Sequence, residues 1–208
     1  MVVEAVNFYG MSPDDIVKYL PGKDCGSCGY KTCREFAAAL SEGKAKVKDC
    51  PEMALLMSES LAGALSIKLE VHEADASMST VAEKLFEVNS PGPDSPVLIT
   101  GNSGVTIHVL NLIFSKAPKV SAYIVPTETK GFTIDHAAGM KLMSPMTVMR
   151  GLTNSAVAGK VNHRTLIIPG LCAGIEKQTG IMTRWNVETG PISGFELPAF
   201  LIKRSEEE

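Results

Sequence analysis

The chain has 208 residues and a net charge of −3, and its 45% hydrophobic residues suffice for the core of one or two globular domains. The slight negative charge argues against nucleic-acid binding, because a protein that binds the phosphate backbone carries a basic stripe. The sequence shows no apolar run of about 18 residues that would span a membrane and no secretion signal, so we expect a cytoplasmic protein with reduced thiols.

A short helix and a glycine-rich loop come first in the chain. Ser12 precedes a proline and two acids, which is typical of a capped helix start. Residues 20–22 end this helix, and a loop with two cysteines follows over residues 23–30. A second helix is predicted over residues 32–41, with a third cysteine at its start.

Four cysteines in this region carry the strongest signal of the sequence. They follow the pattern Cys-x2-Cys-x4-Cys, with a fourth after sixteen further residues, and are Cys25, Cys28, Cys33 and Cys50. Four thiolates are what a 4Fe–4S cluster needs, and the uneven spacing favours a cluster. A zinc site, which usually pairs two Cys-x2-Cys hairpins, and disulfides, which are typical of small secreted domains, are the less favoured alternatives. Cys172 lies in an apolar, glycine-rich stretch, and we interpret it as a buried, inert thiol.

The rest of the chain changes from helical patterns to alternating strands and helices. Residues 52–88 are predicted to be helical, with a polar break at 73–80, and the proline-rich residues 90–94 predict a domain boundary. Strands alternating with helices predict a parallel sheet with covered faces. The predicted strands cover residues 96–100, 120–125, 164–169 and 185–190, and the predicted helices cover residues 105–114 and 132–142.

We therefore predict an α/β protein with three parts. A small helical 4Fe–4S cluster domain covers residues 1–60, a helical linker covers residues 61–94, and a Rossmann-like parallel-sheet domain covers residues 95–208.

Glycines and hydroxyl-bearing residues follow the end of each predicted strand. Because the carboxyl ends of parallel strands meet at one edge, where ligands bind in such folds, these loops favour a site for a large polar ligand. Ordinary turn and cap preferences explain any single loop, and the pattern leaves the ligand open. The loops cover residues 100–104, 127–131, 169–174 and 190–194.

Several segments resemble the large (gamma) subunit of the corrinoid iron–sulfur protein of the carbon monoxide dehydrogenase/acetyl-CoA synthase pathway. Those that resemble its cluster domain are residues 20–29, Thr32-Cys33, Phe36-Ala37 and residues 49–51. Those that resemble its corrinoid domain are residues 95–100, 137–139 and 161–170, with Gly190-Pro191, Ser193-Gly194 and Leu197-Pro198. The resemblance covers about residues 15–55 and 95–202.

The resemblance implies a methyl carrier. In that family a corrinoid carries a methyl group between a methyltransferase and an acceptor, and the low-potential cluster returns Co(II) to Co(I). It implies a methyltransferase component rather than a complete catalyst, with a methyltransferase or small-subunit-like partner and a low-potential electron donor. The candidate corrinoid contacts, taken from the strand-end loops, from the segments that resemble the family and from His136, are Thr100, Asn102, Ser103, Thr106, Thr127, Gly131, His136, Ala137, Ala138, Gly139, Pro169, Gly170, Ala173, Gly190, Pro191 and Ser193.

Two features depart from the family pattern. A TIM barrel of about 250 residues lies between the two end domains in the family, whereas only residues 53–94 separate them here. In addition, His136 stands in a segment that lies under the corrin in the family. Its imidazole is a candidate lower axial ligand of cobalt, and the ordinary alternative is a helix histidine bonded to a carbonyl or water.

Two other functions stay open at this point. An electron-transfer module would reduce a corrinoid held by a partner protein and bind none itself. A nucleotide-binding redox protein is less favoured, because no Gly-x-Gly-x-x-Gly motif follows the first strand and residues 101–104 only loosely resemble one.

Overall fold

The computed structural model describes residues 10–69 and 79–207. The chain divides into two compact units. We call Met1–Leu69 with Ser193–Glu208 the helical unit, and Glu70–Ile192 the sheet unit. None of the described helices is long and apolar enough to cross a membrane.

The described elements follow one another along the chain as short helices and then as a strand–helix alternation. In chain order they are α1 (Pro13–Val17), α2 (Cys33–Ser41), α3 (Leu55–Ser66), β1 (Phe86–Val88), β2 (Val97–Gly101), α4 (Gly104–Ser115), β3 (Ala122–Thr127), α5 (Ile134–Gly139), α6 (Pro145–Ser155), β4 (Thr165–Ile168), α7 (Glu176–Thr183), β5 (Asn186–Thr189) and α8 (Leu197–Glu207).

In the helical unit, α1 packs against α2 and α3 packs against α8. A capping box starts α1: the Ser12 hydroxyl accepts a hydrogen bond from the Asp15 amide, and the Asp15 carboxylate accepts one from the Ser12 amide at 3.0 Å. The apolar face of each helix lies inward, which removes it from water. The most deeply buried apolar side chains of this unit include Ile16, Phe36, Ala37, Leu61, Phe195 and Ala199.

A buried carboxylate ties residues after the sheet unit to α1. Glu196 is 1% exposed, and its Oε2 accepts hydrogen bonds from the Tyr19 hydroxyl at 2.9 Å and the Lys18 ammonium at 3.2 Å. Burial, with the charge of Glu196 beside it, raises the pKa of Tyr19, so the phenol stays protonated and donates. The second oxygen, Oε1, is buried without a hydrogen-bond partner among the described residues. Removing either donor would therefore leave a buried charge with fewer partners.

The sheet unit is built on five described strands in the order β1-β3-β2-β4-β5. β1 runs antiparallel to β3, and the other neighbouring strands pair in parallel. β2 and β3 are buried along their whole length, as expected for central strands covered on both faces. Gly151 lets α6 pack closely on β3, because a Cβ there would lie 2.8 Å from Cγ2 of Thr127.

The predicted α/β architecture, with a helical N-terminal region and a mostly parallel sheet, is confirmed. Each of the four predicted strands is present with ends shifted by up to two residues. The helix predicted at the end of residues 52–88 is wrong, since residues 86–88 form β1. That strand is set by pairing with β3, a non-local interaction that local helical periodicity does not contain.

Three described helices were not predicted from the sequence: α6, α7 and α8. In α7 only Thr179 is buried, so the helix has no apolar stripe to recognise. Residues 193–207, which the sequence analysis grouped with the sheet, lie in the helical unit. Most of the predicted polar break at residues 73–80 lies outside the described residues.

We expect Glu196→Ala to destabilise the helical unit by about 1–3 kcal/mol, because it leaves the buried Tyr19 hydroxyl without its acceptor. Hydrogen–deuterium exchange of peptides from α1 and α3 should show faster exchange. Glu42→Ala is the matched control, since it removes only a surface pair with Lys44 and should change exchange little. Equal protection of α1 in Glu196→Ala and the unmutated chain would contradict the role of this carboxylate.

Candidate functional site

The four clustered cysteines of the helical unit line one open pocket of about 310 Å³. Cys25 is exposed, the other three are half-buried, and all four are free thiols. Side chains of both signs and two aromatic rings complete the lining. The other lining residues are Leu20, Pro21, Lys23, Asp24, Gly26, Tyr30, Thr32, Phe36 and Glu52.

A tight turn presents the first two cysteines. Gly26 and Gly29 have φ angles of 74° and 87°, a region that residues with a side chain rarely adopt. The Gly29 amide donates a hydrogen bond to the Gly26 carbonyl at 2.9 Å. This closes the turn around Cys28 and holds it against the pocket.

The third cysteine stands at the start of a helix. Cys33 is the first residue of α2, and Thr32 caps that helix by accepting a hydrogen bond from the Glu35 amide at 3.1 Å. Asp24 accepts a hydrogen bond from the Cys33 amide at 2.6 Å, which ties the first loop to the helix start. The positive end of a helix favours a thiolate and an anionic metal cluster.

The fourth cysteine follows the 3-10 turn Val47–Asp49, and its amide donates a hydrogen bond to the Val47 carbonyl at 3.2 Å. Close by, Lys23 and Glu52 form an ion pair at 2.6 Å that joins the loop before Cys25 to the segment after Cys50. Two segments far apart in the sequence are thereby held at the same pocket.

The thiols differ in their environments. A hydrogen bond from the Ser27 side chain lowers the pKa of Cys25, whereas burial raises the pKa of Cys50. A donor set made only of thiols suits an iron–sulfur cluster, in which each thiolate binds a different iron. The cysteine sulfurs that bind a cluster therefore need not lie as close to one another as the ligands of a single metal ion. Within residues 10–69 and 79–207, no three histidine, cysteine, aspartate or glutamate side chains lie close enough together to hold a single metal ion.

In the sheet unit the predicted ligand loops do meet at one edge. Gly101 at the end of β2 pairs with Thr127 at the end of β3, and Ile168 of β4 pairs with Thr189 of β5. α5 packs beside the 3-10 turn Gly170–Cys172 that follows β4. The loops after β2, β3, β4 and β5 are therefore neighbours.

Asn102 holds the first two loops together. Its Oδ1 accepts hydrogen bonds from the Thr129 amide (3.0 Å), the Thr129 hydroxyl (3.0 Å) and the Gly131 amide (3.1 Å). Thr127 donates its hydroxyl hydrogen bond to the Thr100 carbonyl at 2.9 Å. Thr100, Asn102, Thr127 and Thr129 are buried polar residues, and Gly131 is buried as well. The hydrogen bonds therefore hold the two loops together from inside the protein.

A neighbouring segment covers the loop between β2 and α4. The Gly104 amide donates to the Ser79 carbonyl at 2.8 Å, and the Val81 amide donates to the Asn102 carbonyl at 2.9 Å. Ser103 accepts a hydrogen bond from the Thr106 amide at 3.5 Å. The chain itself therefore uses most of the polar groups that the sequence analysis assigned to a ligand in this loop.

The segment after β3 is more open. His136 and Gly139 are exposed, Ala138 is half-buried and Ala137 is fully buried. A Cβ added at Gly139 would meet no atom within 4 Å. Met140, next in the chain, is 57% exposed, which is unusual for a large apolar side chain.

One ring nitrogen of His136, Nδ1, lies close to neighbouring polar groups. Its Nδ1 lies 3.2 Å from the Thr133 hydroxyl and 3.3 Å from Oδ2 of Asp135, and its ring stacks near Phe132 with centroids 6.5 Å apart. Asp135 was not among the residues expected from the sequence, although its position directly before a candidate ligand was a signal. Asp24, which stands directly before Cys25, was not expected as a site residue either.

The loops after β4 and β5 are locked to each other. The Gly170 amide donates to the Pro191 carbonyl at 3.0 Å, and a Cβ at Gly170 would lie 2.7 Å from the Gly190 carbonyl oxygen. Pro169 lies directly before the 3-10 turn Gly170–Cys172, and Ala173 lies directly after it and is exposed. These residues reach the predicted edge of the sheet, but Gly170 and Gly190 serve close backbone packing there.

Ser193 and Cys172 are poorly suited to bind a cofactor. Ser193 belongs to the helical unit, where its hydroxyl donates to the Gly10 carbonyl at 2.9 Å. Cys172 is buried, and burial raises its pKa to about 11. A thiol that stays protonated is a poor metal ligand and a poor nucleophile.

Two family models match the chain. The model described as CO dehydrogenase/acetyl-CoA synthase delta subunit matches residues 58–201, and a model for an Fe-S cluster matches residues 20–52. The second model covers Cys25, Cys28, Cys33 and Cys50. The two matches together extend over both described units.

Curated proteins show the same likeness. The chain is 24% identical over 139 residues to the acetyl-CoA decarbonylase/synthase complex subunit gamma of Archaeoglobus fulgidus, which covers 67% of the chain and 29% of that subunit. It is 29% identical over 119 residues to the gamma subunit of Methanopyrus kandleri, which covers 57% and 26%. A component of the ion-translocating oxidoreductase complex of Vibrio atlanticus is 37% identical over 71 residues, which covers 33% and 36%. The matched part of the chain thus spans less than a third of the gamma subunits.

Replacing any one of Cys25, Cys28, Cys33 or Cys50 by alanine should prevent assembly of a complete cluster, because one iron of the cube then lacks its thiolate ligand. Iron and acid-labile sulfide analysis after anaerobic reconstitution measures the effect, with about four of each expected in the unmutated chain. Cys172→Ala is the matched control and should keep full iron content. A full cluster in Cys33→Ala would show that another group supplies the ligand.

Gly170→Ala should destabilise the sheet unit by about 1–3 kcal/mol, because the added Cβ would press on the Gly190 carbonyl. Urea unfolding followed by the fluorescence of Trp185, the single tryptophan, reports on this unit. Gly159→Ala is the control, since a Cβ there meets no atom within 4 Å. Equal urea midpoints for the two variants would show that the loop yields to the added atom.

Proposed function

The chain belongs to the CO dehydrogenase/acetyl-CoA synthase delta subunit family, and from this we propose that it is a methyl-carrier component of a methyltransferase system that uses a 4Fe–4S cluster and a corrinoid. The family resemblance read from the sequence is confirmed by both kinds of comparison. The observation that carries the proposal is a single pocket lined by four thiols in a chain of this family.

In this proposal the bound corrinoid supplies a cobalt centre that takes up and releases the methyl group, and the cluster supplies the electron that returns Co(II) to Co(I). Cys25, Cys28, Cys33 and Cys50 hold the cluster. The helix start at Cys33 and the amide-rich turn around Gly26 favour its negative charge. A low-potential iron–sulfur electron donor would recharge the cluster one electron at a time.

The most accessible part of the proposed corrinoid site is the edge formed by α5 and the loop after β4. Gly139 and Ala173 leave room for a large planar ligand, and Met140 offers an exposed apolar surface. His136 is the candidate axial ligand. Asn102 and Thr127 support the site by fixing its loops, since their polar groups face the network inside.

A corrinoid methyltransferase, or a partner like the small subunit of the family, would exchange the methyl group. Five free cysteines suit the reducing cytoplasm. A cluster of low potential suits anaerobic growth.

An electron-transfer module that reduces a corrinoid bound to a partner protein is the second candidate function. The contact of Ser79 and Val81 with the loop after β2 favours it, because that loop offers a ligand few free polar groups. Corrinoid content separates the two candidates.

We expect anaerobically prepared protein, incubated with hydroxocobalamin and desalted, to retain about one corrinoid per chain together with about four iron and four sulfide. Iron and sulfide without corrinoid would overturn the carrier function and favour the electron-transfer module. Retention of neither group would overturn both functions.

The electron path is tested in the same preparation. With a reduced iron–sulfur electron donor, formation of Co(I) should be visible in the absorption spectrum of the unmutated chain. Cys33→Ala should retain the corrinoid but lose this reduction, whereas Cys172→Ala should keep both. Normal reduction in Cys33→Ala would show that the cluster is not the electron source.

A further inference from the structure

We propose that Asp24 lowers the reduction potential of the cluster bound by the four clustered cysteines and fixes the loop that carries Cys25, an inference that rests on the proposed cluster function. Asp24 lines the cysteine pocket, is exposed and directly precedes Cys25. Its Oδ1 accepts a hydrogen bond from the Cys33 amide at 2.6 Å. One carboxylate therefore joins the segments that carry two of the four ligands.

The backbone at Asp24 has an uncommon conformation. Its φ angle is 46°, in the left-handed region that most residues avoid and that glycine, asparagine and aspartate adopt most readily. The hydrogen bond to the Cys33 amide spans nine positions and holds the loop in this conformation. Because asparagine and glycine at position 24 can keep the same backbone, they are suitable test substitutions.

Two amides in the first turn of α2 donate to side chains. The Cys33 amide donates to Asp24, and the Glu35 amide donates to the Thr32 hydroxyl at 3.1 Å. Hydrogen bonds to the sulfurs of a cluster are among the factors that set its reduction potential. An N–H group that donates to a sulfur stabilises the reduced cluster, which carries more negative charge. Because Asp24 occupies the Cys33 amide, that amide does not stabilise the reduced form, and the potential is lower.

The charge of Asp24 acts in the same direction. The charged side chains that line the pocket are Lys23, Asp24 and Glu52. Lys23 and Glu52 form an ion pair at 2.6 Å, so their charges largely cancel, whereas Asp24 is bonded to a neutral backbone amide. The reduced cluster has one more negative charge than the oxidised cluster, and a nearby carboxylate repels that charge. Because the carboxylate is exposed, added salt screens the repulsion.

A low potential is what the proposed function needs. The cluster would take one electron from a low-potential iron–sulfur donor and give it to Co(II), which becomes Co(I). A cluster of lower potential is a stronger reductant, so the second transfer becomes more favourable. Asp24 would thus favour the return of cobalt to its active state by acting on the cluster alone.

Asp49 provides a contrast at the fourth cysteine. It directly precedes Cys50, as Asp24 precedes Cys25, but its Oδ2 accepts a hydrogen bond from the Lys46 amide at 2.8 Å within its own 3-10 turn. Asp49 also lies outside the lining of the pocket. An acid next to a ligand therefore does not by itself join two ligand-bearing segments, whereas Asp24 does.

The test compares Asp24→Asn and Asp24→Gly with the unmutated chain after anaerobic reconstitution. Midpoint potentials are measured at low and high salt by redox titration followed by EPR of the reduced cluster. Asp24→Asn keeps an acceptor for the Cys33 amide but removes the charge, so we expect a full cluster with a higher potential and a smaller difference at high salt. Asp24→Gly also frees the amide, and it should raise the potential further and release iron to a chelator several-fold faster.

Glu42→Gln is the matched control for the charge. Glu42 is exposed and is the C-cap residue of α2, at the opposite end of that helix from Cys33. The substitution removes one negative charge from the same unit but outside the pocket lining. We expect it to shift the potential much less than Asp24→Asn does.

Equal potentials in Asp24→Asn and the unmutated chain at low salt, or an equal shift in Glu42→Gln, would overturn the electrostatic role of Asp24. Equal potentials and equal iron release in Asp24→Asn and Asp24→Gly would overturn the role of its hydrogen bond. Absence of iron from the unmutated chain would overturn both the inference and the proposed cluster. The measurement needs no corrinoid, so the expected shifts support the inference even in a chain that retains none.

Discussion

Hydrogen bonds from loop amides to a single side-chain acceptor hold both candidate sites in shape. In the helical unit, Asp24 accepts from the amide of Cys33 and joins the first cysteine loop to the start of α2. In the sheet unit, Oδ1 of Asn102 accepts from the amides of Thr129 and Gly131. The amides that Asn102 binds are buried, and because an unpaired buried amide is costly, their loop keeps one conformation. Cofactor ligands then start from a defined geometry.

These internal hydrogen bonds change which polar residues are candidates for contact with a ligand. Asn102, Thr127 and Ser193 direct their polar groups into the protein, so they act on a ligand only through the loops they support. His136 does the reverse, since its engaged nitrogen faces Asp135 while the ring is exposed. Hydrogen-bond partners therefore decide more about a residue's role here than its position at a strand end.

Residues 79–96, which directly precede β2, belong to the sheet unit, whereas α3 belongs to the helical unit. Residues 79–81 contact the loop after β2, and β1 extends the sheet at one edge by antiparallel pairing with β3. An edge strand of three residues adds little area, but it covers backbone groups of β3 that would otherwise face solvent. Residues 79–88 thus contribute contacts to the sheet unit as well as connecting it to the preceding chain.

The sequence by itself determined the parts that depend on local patterns. The cysteine spacing and glycines predicted the cluster region, and the alternating apolar segments predicted four strands with their carboxyl ends at one edge. Only the tertiary structure decided which polar side chains are consumed by the fold, that residues 86–88 form a strand, and that Glu196 returns to the helical unit to meet Tyr19. The physical reason is that these contacts join residues from 27 positions apart, as for Asn102 and Thr129, to 177 positions apart, as for Tyr19 and Glu196, and no local periodicity encodes such pairings.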